Sequence, residues 1–161
     1  MLSSCLVDDP PAYRAPQQTA PQIHGARALP RLDRIITTST GTFEHFDVPI
    51  VSEDAGEGLS ATLFLDYLDA NSEPLKSSNL PPSTLDEGER SLKFVWTVRT
   101  PRPGCHRLTL RVAHDSSWSN GDVVDLDDLA EAYWFANINV TAQNANVLVD
   151  CPSASDLGAA Q

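Results

Sequence analysis

Lysine is scarce in this 161-residue chain: Lys76 and Lys93 are two of only 11 basic side chains, set against 22 acidic ones. The resulting net charge of −11 would repel phosphate backbones and anionic lipid surfaces alike. Nucleic acid is therefore not an expected partner, and any membrane attachment has to be covalent or apolar. Long apolar runs are missing too. No stretch approaches the roughly 20 apolar residues that a helix needs to cross a bilayer. Motifs of known chemistry are equally sparse. His24, His45, His106 and His114 show no short His-x-x-x-His spacing for zinc. Ser116, Ser117 and Ser119 lie near His114 but lack the glycines of a nucleophile elbow, so no catalytic residue is assigned and no enzyme is expected. What remains is 41% apolar and 20% charged, the balance of one folded globular domain with tails.

Read along its length, the chain opens on a proline-rich stretch. Pro10, Pro11, Pro16, Pro21 and Pro30 punctuate residues 6–32, which carry no apolar periodicity and read as a disordered, extended linker. Fully extended, such a tether reaches roughly 80 Å. Strand-like segments follow over 33–151. Arg34 to Thr40 is rich in β-branched residues, and Phe43 to Val51 places Phe46, Val48 and Ile50 on one face, with Pro49 pointing to a sheet edge. Leu59 to Leu68 is apolar on both faces near its middle, as in a central strand. Residues 69–90 read as a long polar loop.

Two alternating runs then flank a Pro/Gly turn: Leu92, Phe94, Trp96 and Val98 before it, Leu108, Leu110 and Val112 after it. A hairpin is the default expectation. Trp134, Ala136, Ile138 and Val140 define a further strand, Asn146 to Asp150 a last short one, and 152–161 a small polar tail. Asp125 to Tyr133 could form a helical turn, because Asp125 can cap and Leu126, Leu129 and Ala130 lie on one helical face. About seven strands at this spacing predict an all-β fold of two packed antiparallel sheets.

Two resemblances sharpen this reading. Leu2-Ser3-Ser4-Cys5 resembles the lipobox of bacterial lipoproteins: an apolar residue, two small residues, then the cysteine that is acylated. It implies lipidation at Cys5, with 1–5 the remnant of the signal, export to the cell envelope and an outer-membrane anchor. If Cys5 is used so, Cys105 and Cys151 are left as a pair. A disulfide between them would close a loop of about 46 residues, worth on the order of 4 kcal/mol; the alternative is two separately buried thiols. The strand pattern is similar to immunoglobulin-like domains, above all Gly104-Cys105-His106-Arg107-Leu108-Thr109-Leu110-Arg111-Val112 and the Trp-bearing strand after it. Within 33–151 no cysteine precedes Trp96 and no tyrosine stands two residues before Cys105, so the antibody hallmarks are missing. Such a domain implies a structural or protein-interaction role toward an envelope or surface protein.

Two site candidates remain. Asp122, Asp125, Asp127 and Asp128 form an acidic loop that could supply calcium ligands, joined by Glu53, Asp54 and Glu57 if the loops meet. The loop does not match the EF-hand pattern, and a merely solvated acidic loop is the competing explanation. Trp96 and Trp134 fall in phase with core positions, whereas Trp118 lies among polar residues, where it could stack on a sugar, anchor a protein contact or fold back to cap the end of the domain.

Overall fold

A computed structural model of the chain describes residues 19–54, 56–68, 72–83, 89–99, 102–141 and 151. Cys5 and its neighbours, the expected strand at 146–150 and the tail 152–161 lie outside the described residues. The described part is all-β, with ten strands and three single 3-10 turns.

The strands are β1 (Gln22–Ile23), β2 (Ile36–Thr38), β3 (Phe43–Val51), β4 (Leu59–Leu65), β5 (Glu73–Leu80), β6 (Glu89–Thr97), β7 (Gly104–His114), β8 (Trp118–Ser119), β9 (Asp122–Val123) and β10 (Ala130–Ile138). One sheet has the order β1-β3-β6 and the other β2-β10-β7-β4-β5. Pairing is antiparallel throughout, except that β2 runs parallel to β10. The apolar faces meet in one interior. Phe46 of β3 stacks on Phe94 of β6 at 4.8 Å, and its edge meets Trp134 of β10 at 5.2 Å, joining the two sheets. Leu63, Leu92, Leu108, Leu110, Val112 and Ile138 fill the same core. Trp96 and Trp134 are buried in it, and Trp134 Nε1 donates to Pro30 O at 2.7 Å.

Several expectations change. The runs before and after the Pro/Gly turn are not a hairpin: β6 pairs only with β3, whereas β7 lies between β4 and β10 in the opposite sheet. Alternation records which face of a strand is buried. Phe94 and Trp96 face the interior from one sheet while Leu108 and Leu110 face it from the other, so crossing between sheets satisfies the pattern as well as a hairpin would. The segment taken for a loop contains β5, a polar edge strand paired with β4. Pro74 and Lys76 suit an edge, where a missing amide and a charged side chain are tolerated. β3 is not itself at the edge: β1 covers it, with His24 N donating to Pro49 O at 2.9 Å on the side where proline offers no donor.

The boundary of the linker also moves. From Thr19 onward the chain is docked on the domain, since β1 pairs with β3, Ala28 is fully buried, and Leu29 bridges Asp47. Ile23 and Leu32 pack against the core on either side of the buried Ala28, which seats the segment against the sheet. Finally, the helical turn expected over Asp125 to Tyr133 shrinks to the 3-10 turn Leu126–Asp128, capped by the Asp125 side chain accepting from Asp127 N, and β10 takes over from Ala130.

Candidate functional site

The loops β3–β4, β5–β6 and β7–β10 gather at one end of the sandwich, where β7 finishes at His114. His114 follows Leu108, Leu110 and Val112 on the inward face of β7, so its imidazole enters the core and has to find partners there. Nδ1 lies 2.6 Å from Asp128 Oδ1, and Nε2 lies 2.9 Å from Ser52 Oγ. Asp128 Oδ2 also accepts from the His114 backbone N–H at 2.9 Å. Ser52, His114 and Asp128 thus reproduce the connectivity of a serine–histidine–aspartate relay, but they are only 4%, 0% and 3% exposed. With all three side chains buried, their hydrogen bonds fasten one segment of the chain to another. The β3–β4 loop and the turn before β10 are both tied to the end of β7. Asp54 extends the cluster: its Oδ2 lies 4.0 Å from His114 Nε2 and accepts from Thr19 N at 2.8 Å, where the chain enters the domain.

The sequence reading missed this cluster, although the inward phase of His114 on β7 is its signal. Arg90 went unremarked too. Only 8% exposed, it donates through Nη1 to Glu57 O and Pro81 O, while Nε and Nη2 are buried with no partner among the described residues. Burial pushes its guanidinium below the usual range, with Asp115 pulling the other way.

The four aspartates proposed for calcium are not brought together. Asp122 is bound by Arg111 and by the Tyr67 hydroxyl, Asp125 caps the turn, Asp128 is buried on His114, and Asp127 is exposed. The Ser52–Gly58 loop does meet the β7–β10 connection, with Ser116 Oγ donating to Glu57 Oε2 at 3.3 Å. Even so, the described residues hold no group of three or more His, Cys, Asp or Glu that could ligate one ion. At the far end, His106 Nδ1 meets Asp66 Oδ2 at 2.7 Å and Nε2 meets Arg102 O at 3.2 Å, so the two histidines of β7 plug opposite ends of the core. Cys105 and Cys151 are joined as a disulfide beside that end, with Cα atoms 5.2 Å apart.

Trp118 lies over the outer face of the larger sheet. Asn120 and Gly121, with φ of 52° and 83°, form the tight turn of the β8–β9 hairpin, and this Asn-Gly pair is a strong hairpin signal that the sequence reading passed over. Trp118 Nε1 donates to Ala113 O at 3.3 Å, which fixes the indole against β7. The ring borders an open groove of about 310 Å³ that runs to the β4–β5 edge and is lined by Ser60, Thr62, Ser77, Asn79 and Asn120. No lining residue among the described ones is charged.

Beside the groove, Arg111 is buried under the Tyr67 ring, 4.7 Å from its centroid, and bonds Asp122 and Glu131. Burial, and after it the bond to Asp122, raises the Tyr67 phenol above its ordinary value. This cluster pins β9 and the loop after β4 to β7 and β10.

No protein-family model matches the chain, and no curated protein matches it. Among solved structures it is similar to the CARDB domain of a Pyrococcus furiosus protein in complex with di-metal ions, at 13% identity and a TM-score of 0.38, covering 74% of this chain and 90% of that one. It is similar also to a β-glucosidase from Listeria innocua in complex with glucose, at 12% identity and a TM-score of 0.44, covering 74% of this chain and 16% of the enzyme. A chitin binding domain from Burkholderia pseudomallei is a further neighbour, at 17% identity and a TM-score of 0.39, covering 65% of this chain and 57% of that domain.

Proposed function

We propose that this chain is a non-catalytic, immunoglobulin-like β-sandwich module, held at the outer membrane of a bacterial cell envelope by acylation of Cys5 and acting as a structural or binding unit. One observation carries the anchored reading. The Cys105–Cys151 bond uses two of the three cysteines, leaving Cys5 behind Leu2-Ser3-Ser4, where an acyl-accepting thiol belongs. The immunoglobulin-like assignment draws support from the strand order, in which the N-terminal segment gives β1 to one sheet and β2 to the other, and β6 to β7 crosses between them. Burial of Ser52, His114 and Asp128 supports a role without catalysis. Among ligands, carbohydrate fits better than calcium, because the aspartates are engaged separately while Trp118 borders an uncharged groove.

The anchor is tested by producing the protein in a bacterium from its natural gene and analysing the membrane fraction by mass spectrometry. The expected result is an N-terminal Cys5 bearing lipid, and a Cys5→Ser variant that leaves the membrane. A protein that retains residues ahead of Cys5, or shows Cys5 as an unmodified thiol, overturns the proposal.

A further inference from the structure

We infer that the groove beside Trp118 is a subsite for one ring of a neutral saccharide. The inference rests on the reading of the chain as a binding module and adds the class of ligand. A pyranose presents apolar C–H faces and a rim of hydroxyls. It is held best by an aromatic face together with side chains that can both donate and accept. Trp118 supplies the aromatic, already fixed through Nε1 to Ala113 O, so little ordering is left for the binding event. Ser60, Thr62, Ser77, Asn79 and Asn120 supply hydroxyls and amides. Thr62 and Ser77 bond each other at 3.0 Å across β4 and β5, and Ser60 donates to Asp115 at 2.5 Å, so these hydroxyls are oriented in advance. The amides of Asn79 and Asn120 engage no other side chain among the described residues.

Size and charge narrow the class. A volume of about 310 Å³ stands at the small end of ligand pockets, which suits a single ring. Asp115 at the margin and the net charge of −11 disfavour uronic or sulfated sugars.

The test is titration of the protein with cellohexaose, chitohexaose and maltohexaose, with polygalacturonate as the acidic counterpart. Isothermal titration calorimetry is the readout for every variant, with intrinsic fluorescence beside it in the parent chain, because Trp96 and Trp134 are buried in the core and Trp118 is the indole a ligand can reach. At least one neutral oligosaccharide is expected to give a saturable change, which Trp118→Ala abolishes and Asn79→Ala weakens about tenfold. Asn79 is exposed on the edge strand, so that variant still reads out should Trp118→Ala fail to fold. Silence with all three neutral sugars, binding that survives in Trp118→Ala, or equal affinity for polygalacturonate each overturns the inference. None of these outcomes alters the lipid analysis of Cys5, so the two readings fail separately.

Discussion

His114 is where the burial of a single polar side chain decides the most. With Asp128 accepting on Nδ1, the Nδ1–H tautomer leaves Nε2 to accept from Ser52 Oγ–H, and every hydrogen-bonding group of the imidazole is used. Removing the carboxylate strands two buried donors, the His114 backbone N–H and Nδ1–H. Asp128→Ala is therefore expected to cost about 3 kcal/mol of stability, and Asp128→Asn, which keeps an acceptor, about half of that. Urea denaturation measures both. A loss under about 1 kcal/mol for Asp128→Ala would show that the cluster does not fasten the loops. Arg90 makes the contrasting case: a buried guanidinium whose Nη1 is satisfied while Nε and Nη2 find no partner among the described residues.

Strands and the clusters that pin them set the next scale. The Tyr67 phenol is raised above its ordinary value near 10, first by burial and then by the bond to Asp122, so it holds its proton longer in the folded chain than in the unfolded one. Its contribution is fully present below pH 10 and is lost as pH rises through the folded value. Melting temperature is expected to fall above that pH and to fall less steeply in Tyr67→Phe; identical slopes would place the alkaline loss elsewhere. Much of this scale was legible in the residues. Phe43 to Val51 is the strand its alternation predicts, and Leu59 to Leu65 is central because it is apolar on both faces. What was not legible has a physical reason. Glu73 to Leu80 forms an edge with few apolar side chains to bury, so hydrophobic periodicity hardly marks it. The hairpin expected across Pro103 failed because burial phase is blind to which of two facing sheets a strand joins. The Trp118 groove depends on side chains from β4, β5 and the β8–β9 hairpin, and nothing local in the sequence announces that these converge.

At the scale of the whole molecule, the disulfide bounds what the unfolded chain can explore. With Cys105 and Cys151 separated by 46 positions, loop-closure entropy places the disulfide's contribution at about 4 kcal/mol. The double variant Cys105→Ser/Cys151→Ser is expected to show that loss in denaturant titration, and wild-type protein unfolded with a reductant present should match it. A loss below about 1 kcal/mol would mean that the unfolded chain gains little freedom when the link is removed. The disulfide lies beside one end of the sandwich; Thr19, Asp54, β1 and the Trp118 groove lie toward the other. This polarity has a mechanical meaning. A pull arriving through the residues ahead of Thr19, resisted by a ligand gripped at Trp118, would load only the near end of the domain, shearing β1 along β3. The tension would enter β4 and β7 only at their ends beside the groove, and the covalent link at the far end would carry little of it.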